Sequence, residues 1–256
     1  MSAHFYIICT CRNVENWIEK NINSVKNQHI KSFTFLIWFD NPTDDSVNIA
    51  NRCIGNDVRF KIFVSKEQVY ATEARWNLLK SIKGAKPTDI IILLDGDDWL
   101  YSNNTLSILF EAYKENEIIT THGNYISTNN IVCSWSKDYS HEIKSNNTFR
   151  ESPWIATHLR TFKYGILKYV NEEILKDSSG DFFKSATDMA LFLPILELSG
   201  KYSMFINEVL YVYNHRNNLA NSNLRIANQR KSEKEIRQKK KLLSLNKDIV
   251  KNMIVK

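Results

Sequence analysis

An α/β fold built around a mainly parallel sheet is the architecture this sequence predicts, and three observations predict it. Strand-length apolar runs alternate with segments of helical periodicity through the first hundred residues. One of those runs, Ile90 to Leu94, is apolar at every position and rich in β-branched side chains, the pattern of a strand buried on both faces. It stops at Asp95, Asp97 and Asp98, three carboxylates within four positions, where open α/β sheets collect their ligands beyond the strand ends.

The elements follow in order. His4 to Thr10 is an apolar strand, and Val14, Trp17, Ile18, Ile22 and Val25 come next at helical spacing. Phe33 to Phe39 is a second strand ending at Asp40, and the NPTDDS after it reads as a turn into a helix capped at Thr43 and stopped by Gly55. A strand at Phe60 to Val64, a helix from about Val69 to Lys83 ended by Gly84, and the strand with the acidic tip complete a β-α-β-α-β-α-β order, which implies right-handed crossovers. After Leu100 the regularity weakens. Leu106, Leu109, Phe110 and Tyr113 predict a helix, and short mixed strands are expected from Ile118 to Trp135. Lys137 to Glu151 is polar and reads as an exposed loop. A helix is expected from Tyr164 to Leu175, a loop at KDSSGD, another helix beginning near Asp188, and one or two strands in MFINEVLYVYN.

Composition bounds the function. With 256 residues, 43% of them hydrophobic, the chain can bury a sizeable core. The four cysteines are scattered and match no zinc spacing, so reduced thiols are expected. No apolar run approaches the ~20 residues that span a bilayer, and FYIICTC lacks the basic leader and cleavage site of a signal peptide, so a cytoplasmic location is the expectation. The formal charge of +6 is uneven. From Arg225 onward eleven Lys or Arg face three carboxylates, a local balance of +8, so the rest of the chain sums to −2. That argues against nucleic acid as a substrate. The tail, RKSEKEIRQKKKLL with Leu245, Ile249 and Met253 behind it, has an apolar stripe and a basic face. Such a segment docks on the body, packs on a partner, or makes peripheral contact with an anionic membrane.

The acidic cluster carries chemistry of its own. Three carboxylates at a dry sheet end need a neutralising charge, and Gly96 lets the chain turn so that Asp95 and Asp97 face one site. Oxygen ligands select a hard cation, Mg²⁺ or Mn²⁺, whose shell is completed by substrate phosphates. The plain alternative is a solvated acidic turn.

Taken together, the βαβ half, Asp40 in its NPTDDS turn, the EARWN segment around Arg75 and the DGDD after the fourth strand resemble the family 2 glycosyltransferases. HLRTFKYGIL, ATDMALFLPILELSG and EVLYVYN resemble the acceptor-side half of bacterial and viral members. The resemblance covers about Phe5 to Asn214 and implies a GT-A fold. Residues 1–100 would form a nucleotide-sugar-binding half, 101–215 the acceptor-binding half of the same domain, and 216–256 a basic helical tail read as one C-terminal helix. It implies a metal-dependent, inverting hexosyltransferase-like enzyme that moves a sugar from a nucleotide diphosphate, UDP-sugar favoured, to a hydroxyl of a glycan or glycoconjugate. By position, Asp95 contacts the ribose, Asp97 binds the metal, Asp40 reads the nucleobase, and Thr10 and Arg75 line the nucleotide. Asp188 corresponds to the catalytic base, although many members carry an acidic pair where this chain has Thr187. His215 stands where some GT-A enzymes place a metal-binding histidine, and a surface histidine in a polar loop is the alternative. Trp99, Trp154, His158 and Arg160 are acceptor-binding candidates, since rings stack on sugars and Arg anchors anions or hydroxyls; core packing is the alternative for both tryptophans. Asp98 adds a hydrogen bond behind the metal or is solvated. Two rivals stay open: a non-catalytic nucleotide- or glycan-binding module on the same fold, and a phosphotransferase, whose usual DxDx(T/V) pattern fails at Trp99.

Overall fold

The computed structural model describes residues 3–215 and 223–254. Strand β1 (Phe5–Cys11) lies at the centre of its parallel half, flanked by β2 (Phe33–Asp40) and β4 (Ile90–Asp95), with β3 (Phe60–Ser65) outside β2. Helices α1 (Ile18–Lys26), α2 (Ser46–Ile54) and α3 (Tyr70–Ser81) make the crossovers. The apolar run in β4 does what its composition predicts. Ile91 and Leu93 enter one core with α3, while Ile90, Ile92 and Leu94 enter the other with α1, so both faces are dry. Each such side chain contributes about 1.5–3 kcal/mol of burial.

The α2 start differs from expectation. The helix begins at Ser46 after Asp45, and no side chain caps it. Thr43 is held instead by Asn13, whose Oδ1 accepts its N–H at 2.9 Å, because the turn packs on the loop after β1 rather than on its own helix.

The second half extends the same sheet. Beyond β5 (Trp99–Leu100) come α4 (Thr105–Glu115), β6 (Thr120–Ser127), α5 (His141–Asn146), β7 (Arg160–Lys163), α6 (Thr187–Ser199) and β8 (Ser203–Tyr213). The order across the eight strands is β3-β2-β1-β4-β7-β6-β8-β5. β7 is antiparallel to both β4 and β6 and is the seam that joins the halves into one sheet. Three local expectations change. Ile118 to Trp135 holds one eight-residue strand and an isolated Ile126–Val132 bridge, and the polar stretch before Glu151 contains α5, capped by the Ser140 side chain. Tyr164 to Leu175 is two 3₁₀ turns, Tyr164–Tyr169 and Glu172–Leu175, because Asn171 stands extended between them and its side chain accepts the Glu173 N–H.

The basic tail is two helices, α7 (Asn223–Gln238) and α8 (Lys247–Lys251), rather than one. Its start, residues 216–222, lies outside the described residues. The apolar side is docked: Ile236, Leu245, Val250 and Met253 are buried in the core that contains α6. A buried ion pair anchors it, with Arg150 donating to both Glu197 oxygens and to the Ile236 carbonyl while Glu197 also accepts the Leu242 N–H. Among the described residues no helix is long and apolar enough to cross a membrane.

Candidate active site

The site is built at the carboxyl ends of β1 and β4. Asp95 closes β4 in register with Thr10. The chain must then turn over the end of β1, where the Gly96 N–H donates to the Thr10 carbonyl at 3.2 Å. A β-carbon on residue 96 would stand 2.1 Å from Cys11 Cβ, so only glycine passes. That passage is what lets three carboxylates leave a buried strand within four residues.

Arg75 rises from α3 beneath this corner and is 4% exposed. Its guanidinium donates to Asp95 and reaches Thr187 Oγ1 at 3.5 Å. Arg75 is therefore a buried charge beneath the site and not a surface charge of α3. Burial works against its charge, but Asp95 and Asp188 outweigh burial and raise its pKa.

Asp98 is buried, not solvated. Tyr211 donates its hydroxyl to Oδ2 at 2.5 Å and Asn214 its N–H to Oδ1 at 2.7 Å. Burial, followed by the charges of Asp97 and Asp95, pushes its carboxyl well above the usual range despite those two donors. From the other side the Asn21 amide donates to the Asp95 and Asp98 carbonyls at 2.9 and 2.7 Å. His158 stacks on Tyr211 with ring centroids 4.4 Å apart. Single ligand atoms of Asp95, Asp98 and His158 lie within 4.8 Å of one another, and this group includes neither Asp97 nor His215. Burial, then the Arg160 charge, lowers the His158 pKa well below its ordinary value, so its imidazole is neutral, as a metal ligand must be. The donor set therefore fits a divalent cation: oxygen and imidazole ligands gathered where negative charge exceeds what Arg75 neutralises.

Asp188 sits in the first turn of α6, as expected, and faces Arg160, which donates to Oδ2 at 2.8 Å. Burial alone would raise this carboxyl. The Arg160 and Arg75 charges, with the Met189 N–H, outweigh it and hold Asp188 below the usual range. Arg160 is itself fixed by the Ala156 carbonyl at 2.9 Å, and its guanidinium lies 5.8 Å from the centre of the Trp154 ring. Arg160 is thus a partner of Asp188.

The remaining candidates are spread around this centre. Asp40, at the end of β2, accepts the Val69 and Tyr70 N–H groups at 2.8 and 2.9 Å and the Ser65 hydroxyl at 3.2 Å. It pins Tyr70 at φ 65°, a left-handed conformation that costs a non-glycine residue about 1–3 kcal/mol. Thr10 is buried beside Asp95. Trp99 carries the Lys20 ammonium 3.8 Å above its ring, on the α1 side. His215 is exposed, and its ring meets Tyr213 edge-on at 4.9 Å. Sequence reading missed Asn21, Tyr211 and Asn214. Asn21 had a signal, being the polar residue within the apolar stripe Ile18, Ile22, Val25 of α1.

Residues 6–175 match the family described as Glycosyl transferase family 2. An uncharacterized glycosyltransferase of Haemophilus influenzae is 31% identical over 119 residues, 46% of this chain and 46% of that protein. Glycosyltransferase GlyA of Streptococcus pneumoniae is 23% identical over 219 residues, 82% of this chain and 30% of that protein. The chain thus spans less than half the length of these relatives. Among solved structures, S. aureus TarS 1-349 in complex with UDP-GlcNAc superposes with a TM-score of 0.65 at 18% identity, over 83% of this chain and 59% of that one. The Pyrobaculum calidifontis mannosyltransferase PcManGT with GDP-Man and Mn²⁺ gives 0.64 at 16% identity, over 94% and 66%. At such identities these structures establish a shared fold.

Proposed function

Because the chain belongs to glycosyl transferase family 2 and carries a GT-A fold, we propose that it transfers a sugar from a nucleotide diphosphate to a hydroxyl of a glycan or glycoconjugate. One observation supports this most: the carboxylate at the donor end of the sheet and the carboxylate on α6 share one buried arginine. Arg75 donates to Asp95, reaches Thr187, and its charge acts on Asp188. Two acids from distant parts of the chain are thus set around one place where a reacting carbon can sit.

On the acceptor side, Asp188 takes the proton from the incoming hydroxyl. A base must be ionised before the reaction, and the two arginines keep it so. Arg160 grips one oxygen, Oδ2, and so fixes how the carboxylate faces the incoming hydroxyl. Attack from this side, opposite the leaving diphosphate, inverts the anomeric carbon. On the donor side, Asp95 orients the ribose. Asp40 has a lone pair beyond the three bonds it accepts, and a carboxylate suits the ring N–H of uracil, which favours a UDP-sugar. Asp95, Asp97, Asp98 and His158 are the residues that would hold Mn²⁺ or Mg²⁺. When bound, such a cation neutralises charge on the departing diphosphate.

The test is release of nucleoside diphosphate from a panel of UDP- and GDP-sugars, with MnCl₂, MgCl₂ or EDTA present. Release from a UDP-sugar that EDTA abolishes is the expected result. Tight nucleotide binding without any release, with or without acceptor sugars, would make the chain a binding module instead.

A further inference from the structure

Beside the carboxylate corner a second concavity of about 380 Å³ opens at the end of β6, under the loop that follows it, within the ~300–1,000 Å³ range of small-ligand sites. Its lining joins the Trp135 indole and Tyr125 phenol to short polar groups: Ser127, Asn129, Ser134 and the His215 imidazole. No lysine, arginine, aspartate or glutamate lines it among the described residues. Trp135 is 49% exposed, a large apolar face left open to water.

The loop that carries Trp135 is pinned. The Ser127 N–H donates to the Ile131 carbonyl at 2.8 Å, the Cys133 N–H to the Tyr125 carbonyl at 3.0 Å, and the Ser136 hydroxyl to the Gly123 carbonyl at 2.8 Å. The backbone that carries the indole is therefore held at the rim, which lowers the cost of ordering the loop on binding. One ring separates this concavity from the carboxylates. Tyr125 meets His158 edge-on with centroids 6.1 Å apart, and His158 belongs to the group with Asp95 and Asp98.

We infer that this concavity is the subsite for the acceptor, and that its occupant is an uncharged pyranose ring stacked on Trp135. The inference rests on the transferase reading above. A pyranose has an apolar C–H face that suits an indole and equatorial hydroxyls that suit Ser127, Asn129 and His215. Among the described residues the lining offers hydroxyl, amide and ring groups, which suit a sugar better than a diphosphate, so the donor belongs at the carboxylate corner and the acceptor here. Trp135, which no motif singled out, becomes the residue that sets acceptor preference, and His215, expected at the metal, becomes part of the sugar's rim.

Fluorine NMR of the full chain labelled with 5-fluorotryptophan reads this directly. The Trp135 signal is the one lost in Trp135→Phe. Methyl glycosides of glucose, galactose, mannose and N-acetylglucosamine are titrated with UDP and MnCl₂ present, and methyl phosphate serves as the charged control. At least one glycoside should move the Trp135 signal with the Trp17 and Trp38 signals unchanged, and methyl phosphate should not. For that glycoside as acceptor, Trp135→Ala should raise KM about tenfold, equivalent to ~1.4 kcal/mol, and Trp135→Phe should raise it less. A chain that releases UDP from a nucleotide sugar, yet whose Trp135 signal ignores every glycoside, overturns the subsite and leaves the transferase reading standing. Glycosides that move Trp135 in a chain with no nucleotide turnover support the sugar site and count against the transferase.

Discussion

Asp188 is ionised because of what surrounds it, and removing a neighbour should show it. Arg160 is the larger of the two cationic influences on this carboxyl, and burial opposes both. In Arg160→Gln the burial effect is left less opposed, so the Asp188 pKa rises. A base with a raised pKa loses its ionised form at higher pH. The acid limb of kcat/KM should therefore move upward in pH in Arg160→Gln, measured as a pH-rate profile against the parent chain. An unmoved limb would mean that another group titrates in that limb. Asp98 teaches the complementary lesson. It stands in the same acidic motif as Asp97, yet Tyr211, 113 residues further on, and Asn214 claim both its oxygens.

Among the elements, the βα units of the first half were legible because they follow local rules: central strands apolar on both faces, helices with one apolar stripe, and glycine where the chain turns. Gly96 is the sharpest instance. Gly96→Ala must push its β-carbon against Cys11 Cβ, and the backbone carrying Asp95 to Asp98 has to shift. We expect a stability loss of about 1–3 kcal/mol by chemical denaturation, the usual cost of overpacking, together with weakened nucleotide binding by calorimetry. β7 was not legible. RTFK carries an arginine, a threonine and a lysine, yet all four residues are buried. Thr161 bonds Tyr113 and Thr121, and Lys163 donates to the Thr88 carbonyl at 2.9 Å. Their polarity is satisfied by partners far along the chain, which no local periodicity can reveal. The candidate site divides the same way: Asp95, Arg75 and Asp188 were singled out by the resemblance and lie together, and Tyr211 was missed because its partner is distant.

Taken as one body, the protein depends on a few buried polar contacts that join distant segments. Glu197 and Arg150 hold α7 to α6 within the core. Glu197→Ala strands a buried guanidinium, which typically costs about 3–5 kcal/mol, and it also releases the Leu242 N–H. Limited proteolysis should then cut first after α7, among Lys239 to Lys241, while the parent chain resists there. Uniform degradation in place of tail-first cleavage would contradict this anchor. His122 makes the fold acid-sensitive. Burial pushes its imidazole down to about 4, below the unfolded value of about 6.5. The unfolded chain therefore binds a proton first, and stability should fall as pH drops from about 6.5 to about 4, by up to ~1.4 kcal/mol per pH unit. Urea midpoints at neutral and mildly acidic pH should show this loss, and His122→Gln should lessen it, leaving the part that buried His158 contributes.

The most direct test separates nucleotide binding from turnover in Asp188→Asn. The amide keeps the shape of the side chain and its place at the start of α6, but it cannot take a proton. UDP affinity by calorimetry with Mn²⁺ should stay within about threefold of the parent, a difference under ~0.7 kcal/mol. Transfer of sugar from the active UDP-sugar should fall by about 10²–10⁴, the usual worth of a general base. Turnover in Asp188→Asn equal to the parent's, with nucleotide binding intact, would contradict the assignment of Asp188 as the base.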